Sequence, residues 1–245
     1  MRFRSEVRPF LLASAGFGLL VAGGWAASRG AAAGAVLAGF VGAGVLAAYM
    51  LYFFRDPERT PPADTGAVLA AADGRIARIK YLEPGAFQAA VARSGLTAAD
   101  LALFGDATVV RISIFLSLMD VHVNRAPISG TGRFLGYFPG RHLFTFAEKS
   151  SDLNQHNAIL IVNDKLPCLL TQIVGPVCRR VVYWLDHDRP HPVTAGESIG
   201  MMKFGSRLDM YFPADRIALT CAPGDATRAG ETVIARQVNQ GSSHP

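Results

Sequence analysis

The 245-residue sequence predicts a mainly β, α+β fold: a sandwich of short antiparallel hairpins with a few short helices, behind an N-terminal hydrophobic helical hairpin. Three observations predict it. Uncharged apolar runs fill most of the first 54 residues, short β-type runs cut by glycine or proline follow from Val68 onward, and similar turn-to-strand segments recur along the chain.

The apolar start comes first. No charged residue lies between Arg8 and Arg29, and none between Arg29 and Arg55, so each run meets the roughly 20-residue requirement for crossing hydrocarbon. The second is the more convincing span, through Val36, Leu37, Phe40, Val41, Val45, Leu46 and Leu51, and it ends in Tyr52, Phe53 and Phe54 as an interfacial aromatic belt would. The first also fits a signal peptide, with Arg2, Arg4 and Arg8 ahead of it and Ala26-Ala27-Ser28 behind. As a hairpin, the pair would keep both basic ends (Arg2, Arg4, Arg8 and Arg55, Arg59) in the cytoplasm. Its Ala/Gly content suits close helix packing. Only Arg29 separates the runs, so both a membrane-dipping hairpin and two full spans remain open. The boundary is placed at 54, with 1–54 a membrane-associating segment and 55–245 the functional domain.

Composition agrees with a membrane setting: half of the residues are hydrophobic and only 18% are charged. The net charge is +5, of which six basic and three acidic residues put +3 into positions 1–59. No basic run carries interleaved aromatics, which argues against a nucleic-acid partner, and a mild basic excess beside an apolar segment favours anionic lipid. Cys168, Cys178 and Cys221 form no C-x-x-C pair and read as buried thiols in a reducing compartment.

Arg55-Asp56-Pro57-Glu58-Arg59-Thr60-Pro61-Pro62 forbids helix continuation and makes a stiff exit. Strand-like runs follow at Gly74–Ile79, Ala107–Leu116, Ile159–Val162, Cys168–Val174, Arg180–Leu185 and Met210–Phe212. Helices are predicted at Pro84–Ala92 and at Thr97–Phe104, where Thr97 caps and Asp100 completes a capping box. Thr194-Ala195-Gly196-Glu197-Ser198-Ile199 resembles Arg228-Ala229-Gly230-Glu231-Thr232-Val233, and Asp73-Gly74 and Ser129-Gly130 read as further turns opening strands. Such repetition suits a hammerhead- or barrel-sandwich-like domain, akin to biotinyl and lipoyl modules.

Between two strand-like stretches stands Met201-Met202-Lys203-Phe204-Gly205-Ser206-Arg207. Glycine offers an unhindered carbonyl and tolerates strained backbone, and the next hydroxyl can attack that carbonyl. Alone, such a step is usually an ordinary turn; Gly241-Ser242 in the polar tail is a second one.

Five stretches give Gly205-Ser206 its weight: Tyr52-Phe53-Phe54-Arg55-Asp56-Pro57-Glu58-Arg59, Ala72-Asp73-Gly74, Phe115-Leu116-Ser117 through Asp120-Val121-His122-Val123-Asn124-Arg125-Ala126-Pro127, Asn157-Ala158, and Lys203-Phe204-Gly205-Ser206. In this order, over residues 50 to 236, they resemble the phosphatidylserine decarboxylases of the short bacterial and archaeal type. The resemblance implies a proenzyme that splits between Gly205 and Ser206 into a β chain, 1–205, and an α chain, 206–245, headed by a pyruvoyl group made from Ser206. It implies a Schiff base between that ketone and the serine amine of phosphatidylserine, loss of CO2 and release of phosphatidylethanolamine, with no exogenous cofactor. The partners implied are the phospholipid, the membrane at the cytoplasmic face of the bacterial inner membrane, and the two chains of one precursor. A homodimer stays open.

His122 is the candidate proton-handling residue, since imidazole titrates near neutral pH. The family pattern gives Asp73 the task of orienting that histidine during maturation. On the residues alone, Asp73 reads as a hairpin turn. Longer members carry a second histidine where this chain has Arg125. Either His122 serves both steps, or Arg125 has become a clamp for carboxylate or phosphate, which its forked donors suit. Asp120 either supports His122 or only opens its turn. Lys203 and Arg207, flanking the cut, are either phosphate holders or solvated strand ends. No metal-ligand cluster is expected. His142, His156, His187 and His191 receive no role, and Asp186-His187-Asp188-Arg189-Pro190-His191-Pro192 reads as a solvated loop. Three alternatives stand beside this reading: an ether-linked (archaetidyl) serine lipid as substrate, an uncleaved structural relative, and a biotinyl- or lipoyl-like carrier modified on Lys203.

Overall fold

The computed structural model describes residues 2–27, 33–145, 150–176, 181–203 and 206–238. Ser28, Arg29, Cys178, Arg180, Phe204, Gly205 and Gly241-Ser242 lie outside the described residues. The chain forms two compact units, Met1–Glu58 and Arg59–Pro245.

The first unit is a helical pair, α1 (Arg8–Ala27) and α2 (Ala33–Phe53), flanked by the short strands β1 (Arg2–Phe3) and β2 (Arg55–Asp56), which pair with each other. Small residues let the helices approach: a Cβ at Gly39 would lie 2.2 Å from Val21 Cγ1, and one at Gly18 would lie 3.4 Å from Ala43 Cβ. The outward faces stay apolar, with Leu20 76% and Leu37 65% exposed. Both helices are long and apolar enough to cross a membrane. The expected aromatic belt is only partly present. Tyr52 is exposed, whereas Phe53 and Phe54 are wholly buried, Phe54 against Phe10 of α1 at 5.2 Å between ring centroids.

The second unit is a layered β fold. Its first half holds β3 (Ala67–Leu69), β4 (Gly74–Leu82), α3 (Pro84–Val91), α4 (Ala98–Phe104), β5 (Val109–Leu116), β6 (Val123–Arg125) and β7 (Gly130–Phe138). The Thr97–Asp100 capping box is present, each residue's side chain accepting the other's backbone N–H. The short α5 (Ser150–Leu153), β8 (His156–Val162), β9 (Pro167–Val174), β10 (Val181–Tyr183), β11 (His191–Val193) and β12 (Ser198–Met202) follow. β13 (Ser206–Pro213), β14 (Ile217–Leu219), β15 (Ala226–Thr227) and β16 (Val233–Gln237) complete it. The large sheet runs β11-β7-β8-β9-β13-β5-β4-β15, all antiparallel; two small sheets run β10-β12-β6 and β14-β16-β3.

One face of the large sheet packs on the small sheets through Ile112, Ile114, Leu170, Leu208, Met210, Val68, Ile199 and Ile234. The other face meets α3 and α4 through Leu160, Leu169, Tyr211, Phe87 and Phe104. β13 is therefore buried at every position, its polar first half (Ser206, Arg207, Asp209) as well as its apolar second half (Met210–Pro213). Of the described cysteines, Cys168 is buried and Cys221 only half-buried, so the buried-thiol expectation fits the first alone.

The repeated turns mark a quasi-two-fold relation between the two small sheets. Leu69, Val68 and Ala67 of β3 face Val233, Ala235 and Arg236 of β16; Arg125, Asn124 and Val123 of β6 face Ser198, Gly200 and Met201 of β12. Both pairings bulge at the same place, and the next strands, β4 and β7, start at the same offset. Gly196 donates to the Ala126 carbonyl as Gly230 does to that of Ala70. Both glycines have positive φ (+84° and +76°), and a Cβ on Gly230 would lie 3.1 Å from Gly196 Cα.

Candidate active site

Ser206 opens β13, paired with Leu116 of β5 and Val174 of β9. Alternation puts Ser206 on the face of Leu208, Met210 and Phe212, and Arg207, Asp209 and Tyr211 on the other. Ser206 is wholly buried, and its Oγ has no hydrogen-bond partner among the described residues.

His122 immediately precedes β6, and its carbonyl accepts the Met202 N–H at 3.2 Å, tying it to the strand that leads into the Lys203–Ser206 segment. The ring is wholly buried. Its Nδ1 lies 3.0 Å from the Asp120 carbonyl oxygen. A carbonyl only accepts, so Nδ1 carries the proton and Nε2 is the basic nitrogen. Asp120 thus has two parts to play. Its carboxylate accepts the Ser117 N–H at 2.7 Å and closes the turn, while its carbonyl fixes the imidazole.

Asp73 is buried, with Oδ2 2.7 Å from Arg59 Nη2 and Oδ1 accepting the Ala229 N–H at 2.8 Å. None of these bonds reaches His122. The Ala229 bond is a fold element, because Ser129 Oγ accepts the Ala195 N–H at 2.9 Å at the equivalent place in the other half. Burial raises the Asp73 pKa; the Ala229 N–H and Arg59 oppose it, and the nearby charge of Asp120 adds to it.

Arg59, expected at the membrane exit, is instead held by Asp73 and by Glu231, 3.0 Å away. Arg125 donates to the Gly196 carbonyl at 2.9 Å and sits one position off the His122–Asn124 face of its strand. Neither Lys203 nor Arg207 is a solvated strand end. Lys203 is 6% exposed and Arg207 is 2% exposed. Arg207 Nε lies 3.0 Å from Asp209 Oδ1, and Nη1 donates to the Thr145 carbonyl at 3.1 Å. Of the expected Asp186–Pro192 loop, Asp186–Pro190 is exposed and irregular, whereas His191 and Pro192 open β11 and pair with Gly132 and Thr131 of β7.

The structure adds three side chains to which the residue reading gave no role. Asn157, Gln172 and Asn124 form a buried carboxamide chain across β8, β9 and β6, on the Ser206 face of the large sheet. The signal that could have found them is a carboxamide set within an apolar strand run, as in Leu169-Leu170-Thr171-Gln172-Ile173-Val174.

Comparison with known proteins places the whole chain. The family model described as phosphatidylserine decarboxylase matches residues 46–235. A phosphatidylserine decarboxylase proenzyme of Gluconacetobacter diazotrophicus is 38% identical over 232 residues, 94% of this chain and 92% of that one. A proenzyme of the same name from Saccharopolyspora erythraea is 38% identical, covering 93% of this chain and 85% of its own. One from Erythrobacter litoralis is 41% identical over 78% of this chain and 74% of its own. No solved structure matches the chain. With nearly the whole sequence aligned to such relatives, this chain belongs to the phosphatidylserine decarboxylase family.

Proposed function

We propose that this chain is a self-processing phosphatidylserine decarboxylase, which cuts itself between Gly205 and Ser206 and converts phosphatidylserine to phosphatidylethanolamine and CO2. The observation that carries the reading is Ser206, a wholly buried hydroxyl without a partner among the described residues at the head of a central strand. An unpaired buried hydroxyl costs about 1–3 kcal/mol, so the position fits a residue kept for reaction.

In self-cleavage, Ser206 Oγ attacks the Gly205 carbonyl carbon, the C–N bond breaks and an ester forms. Loss of the Ser206 Cα proton then expels the Gly205 carboxylate, and water releases ammonia to leave a pyruvoyl group. His122 Nε2 is the base we assign to the hydroxyl proton, supported by the Asp120 carbonyl that holds Nδ1. We assign Asp73 the orienting role in maturation that the family pattern gives it, although its own hydrogen bonds run to Arg59 and the Ala229 N–H. The pyruvoyl group supplies an electron sink for the electrons released as CO2 leaves. His122 then delivers a proton to the carbon that lost CO2, and burial of β13 on both faces keeps water from the reacting atoms.

Arg125 and Arg207 are less suited to binding lipid phosphate than expected, since Gly196 and Asp209 engage them. The burial of Lys203 counts against a carrier, which must present its lysine to a partner enzyme. The two apolar helices support a membrane anchor, suited to a diacyl substrate that stays in the bilayer, and the basic flanks favour the cytoplasmic face.

Intact-mass measurement under denaturing conditions tests the reading. Cleavage yields a fragment of residues 206–245, roughly 4 kDa of the 26.1 kDa chain, lighter than the plain peptide by one ammonia. Ser206→Ala should stay uncut. A parent chain found only at full mass would sink the proposal.

A further inference from the structure

Building on the decarboxylase reading, we infer that the Asn157–Gln172–Asn124 chain reads the headgroup carboxylate of the serine lipid, with the Asn124 amide as the donor that meets it. Asn157 Nδ2 donates to Gln172 Oε1 at 3.4 Å, and Gln172 Nε2 donates to Asn124 Oδ1 at 2.7 Å. All three side chains are buried. The chain is incomplete at both ends: Asn124 Nδ2 and Asn157 Oδ1 have no hydrogen-bond partner among the described residues. Buried amides are normally paired, and a polar row that stops short inside an apolar core is the pattern of a site that a ligand completes.

The quasi-symmetry separates this row from the needs of the fold. The position equivalent to Asn124 in the other half is Val68, wholly buried and apolar. The same strand pairing therefore forms without a carboxamide. Gly200, opposite Asn124, leaves space on two sides: a Cβ there would lie 2.3 Å from the Val182 carbonyl oxygen of β10 and 3.2 Å from Gln172 Nε2 of the row.

The Asn124 end also lies at the chemistry. Asn124 follows His122 by two positions, and Gln172 precedes Val174, the partner of Ser206, by two, so each pair shares a face. Neutral donors suit this substrate group. The carboxylate loses its charge on becoming CO2, so a cation there would stabilise the starting state more than the transition state. An amide N–H orients the carboxylate with less of that penalty. It has nothing to read in phosphatidylethanolamine, whose headgroup lacks the carboxylate, so product should bind less well than substrate.

The test compares the parent with Asn124→Ala and with Asn124→Asp, which is isosteric and keeps the acceptor for Gln172. Three quantities are measured in mixed micelles: the small fragment by mass, KM for phosphatidylserine, and inhibition by phosphatidylethanolamine. Binding is read separately as the fraction of small fragment that borohydride fixes to phosphatidylethanolamine. Both variants should mature and keep phosphatidylethanolamine binding, while KM for phosphatidylserine rises about tenfold or more, the scale of one hydrogen bond to a charged group. Unchanged KM, or equal weakening of both lipids, overturns the inference. So does a folded Asn124→Asp chain that fails to mature, because the amide would then serve cleavage. A parent with neither fragment nor turnover instead overturns the decarboxylase reading on which the inference stands.

Discussion

Asp73 is the site residue whose protonation the structure ties most directly to stability. Burial raises its pKa, so the folded chain holds this proton more tightly than the unfolded chain does. The stability gained is present below the unfolded aspartate pKa and is lost as pH rises through the folded value, which leaves the ionised form a net cost near neutrality. Asp73→Asn keeps an acceptor for the Ala229 N–H and removes the charge. In the uncut Ser206→Ala background, the melting temperature of Asp73→Asn relative to its parent should therefore rise from pH 4 to pH 7. A constant difference across that range would mean that Arg59 fully offsets the burial. How legible the site was in the sequence follows chemistry against geometry. Ser206 and His122 carry reactive groups in a motif and could be picked out. The Arg59–Asp73 pair could not, because Arg59 sits in a proline-rich exit that looks solvent-facing, and its partners Asp73 and Glu231 are brought to it only by the turns at Ala229 and Gly230. The Asn157–Gln172–Asn124 row likewise exists only once three strands, distant in sequence, lie side by side.

At the scale of elements, the proposed cleavage point adjoins the start of a strand that the sheet holds on both sides. From Ser206 to Tyr211, β13 pairs with both β5 and β9, and β14, β15 and β16 are also bonded within the catalytic unit. Arg207 and Asp209 add buried bonds to the Thr145 carbonyl and the Ser151 hydroxyl, both on the other side of the cut. Breaking one backbone bond leaves all of these in place. The 206–245 fragment should therefore elute with the larger one in size exclusion under native conditions and separate only in denaturant. Spontaneous release in detergent buffer would contradict this strand order. Local elements were legible where local physics decides them: Pro84 at the start of α3, the Thr97–Asp100 box, and the β-branched run of β5. β7 and β12 were legible only at their entries, the turns at Ser129-Gly130 and Gly196-Glu197. The glycines of β7 hide the rest of that strand, yet a Cβ at Gly130 would lie 2.4 Å from the Val162 carbonyl oxygen, so that glycine allows close strand approach. The sheet order was out of reach as well, because long-range register depends on which buried faces match, not on any single segment's pattern.

For the whole molecule, the contrast between the two units sets the working environment. The helices of Met1–Glu58 turn Leu12, Phe17, Leu20, Leu37 and Val45 outward, while the Arg59–Pro245 unit keeps its large apolar residues mainly in two cores. At about 25 cal/mol per Å² of apolar surface, holding such helix faces in water is unfavourable by several kcal/mol, whereas lipid removes that cost. The +3 charge of positions 1–59 adds attraction to anionic bilayers, although Arg59 itself is committed to Asp73 and Glu231. Removing residues 1–54 should thus separate location from chemistry. The shortened chain should be extracted without detergent, still release the fragment that begins at Ser206, and turn over phosphatidylserine dispersed in mixed micelles. On sealed anionic vesicles its rate should fall at least about tenfold, because enzyme and lipid no longer share a surface and the local substrate concentration drops. Cosedimentation with vesicles and fragment mass, measured on the same preparations, distinguish the outcomes. A shortened chain that still pellets with vesicles would place the membrane contact on the catalytic unit. One that neither pellets nor matures would show that the helices are needed for folding rather than for address.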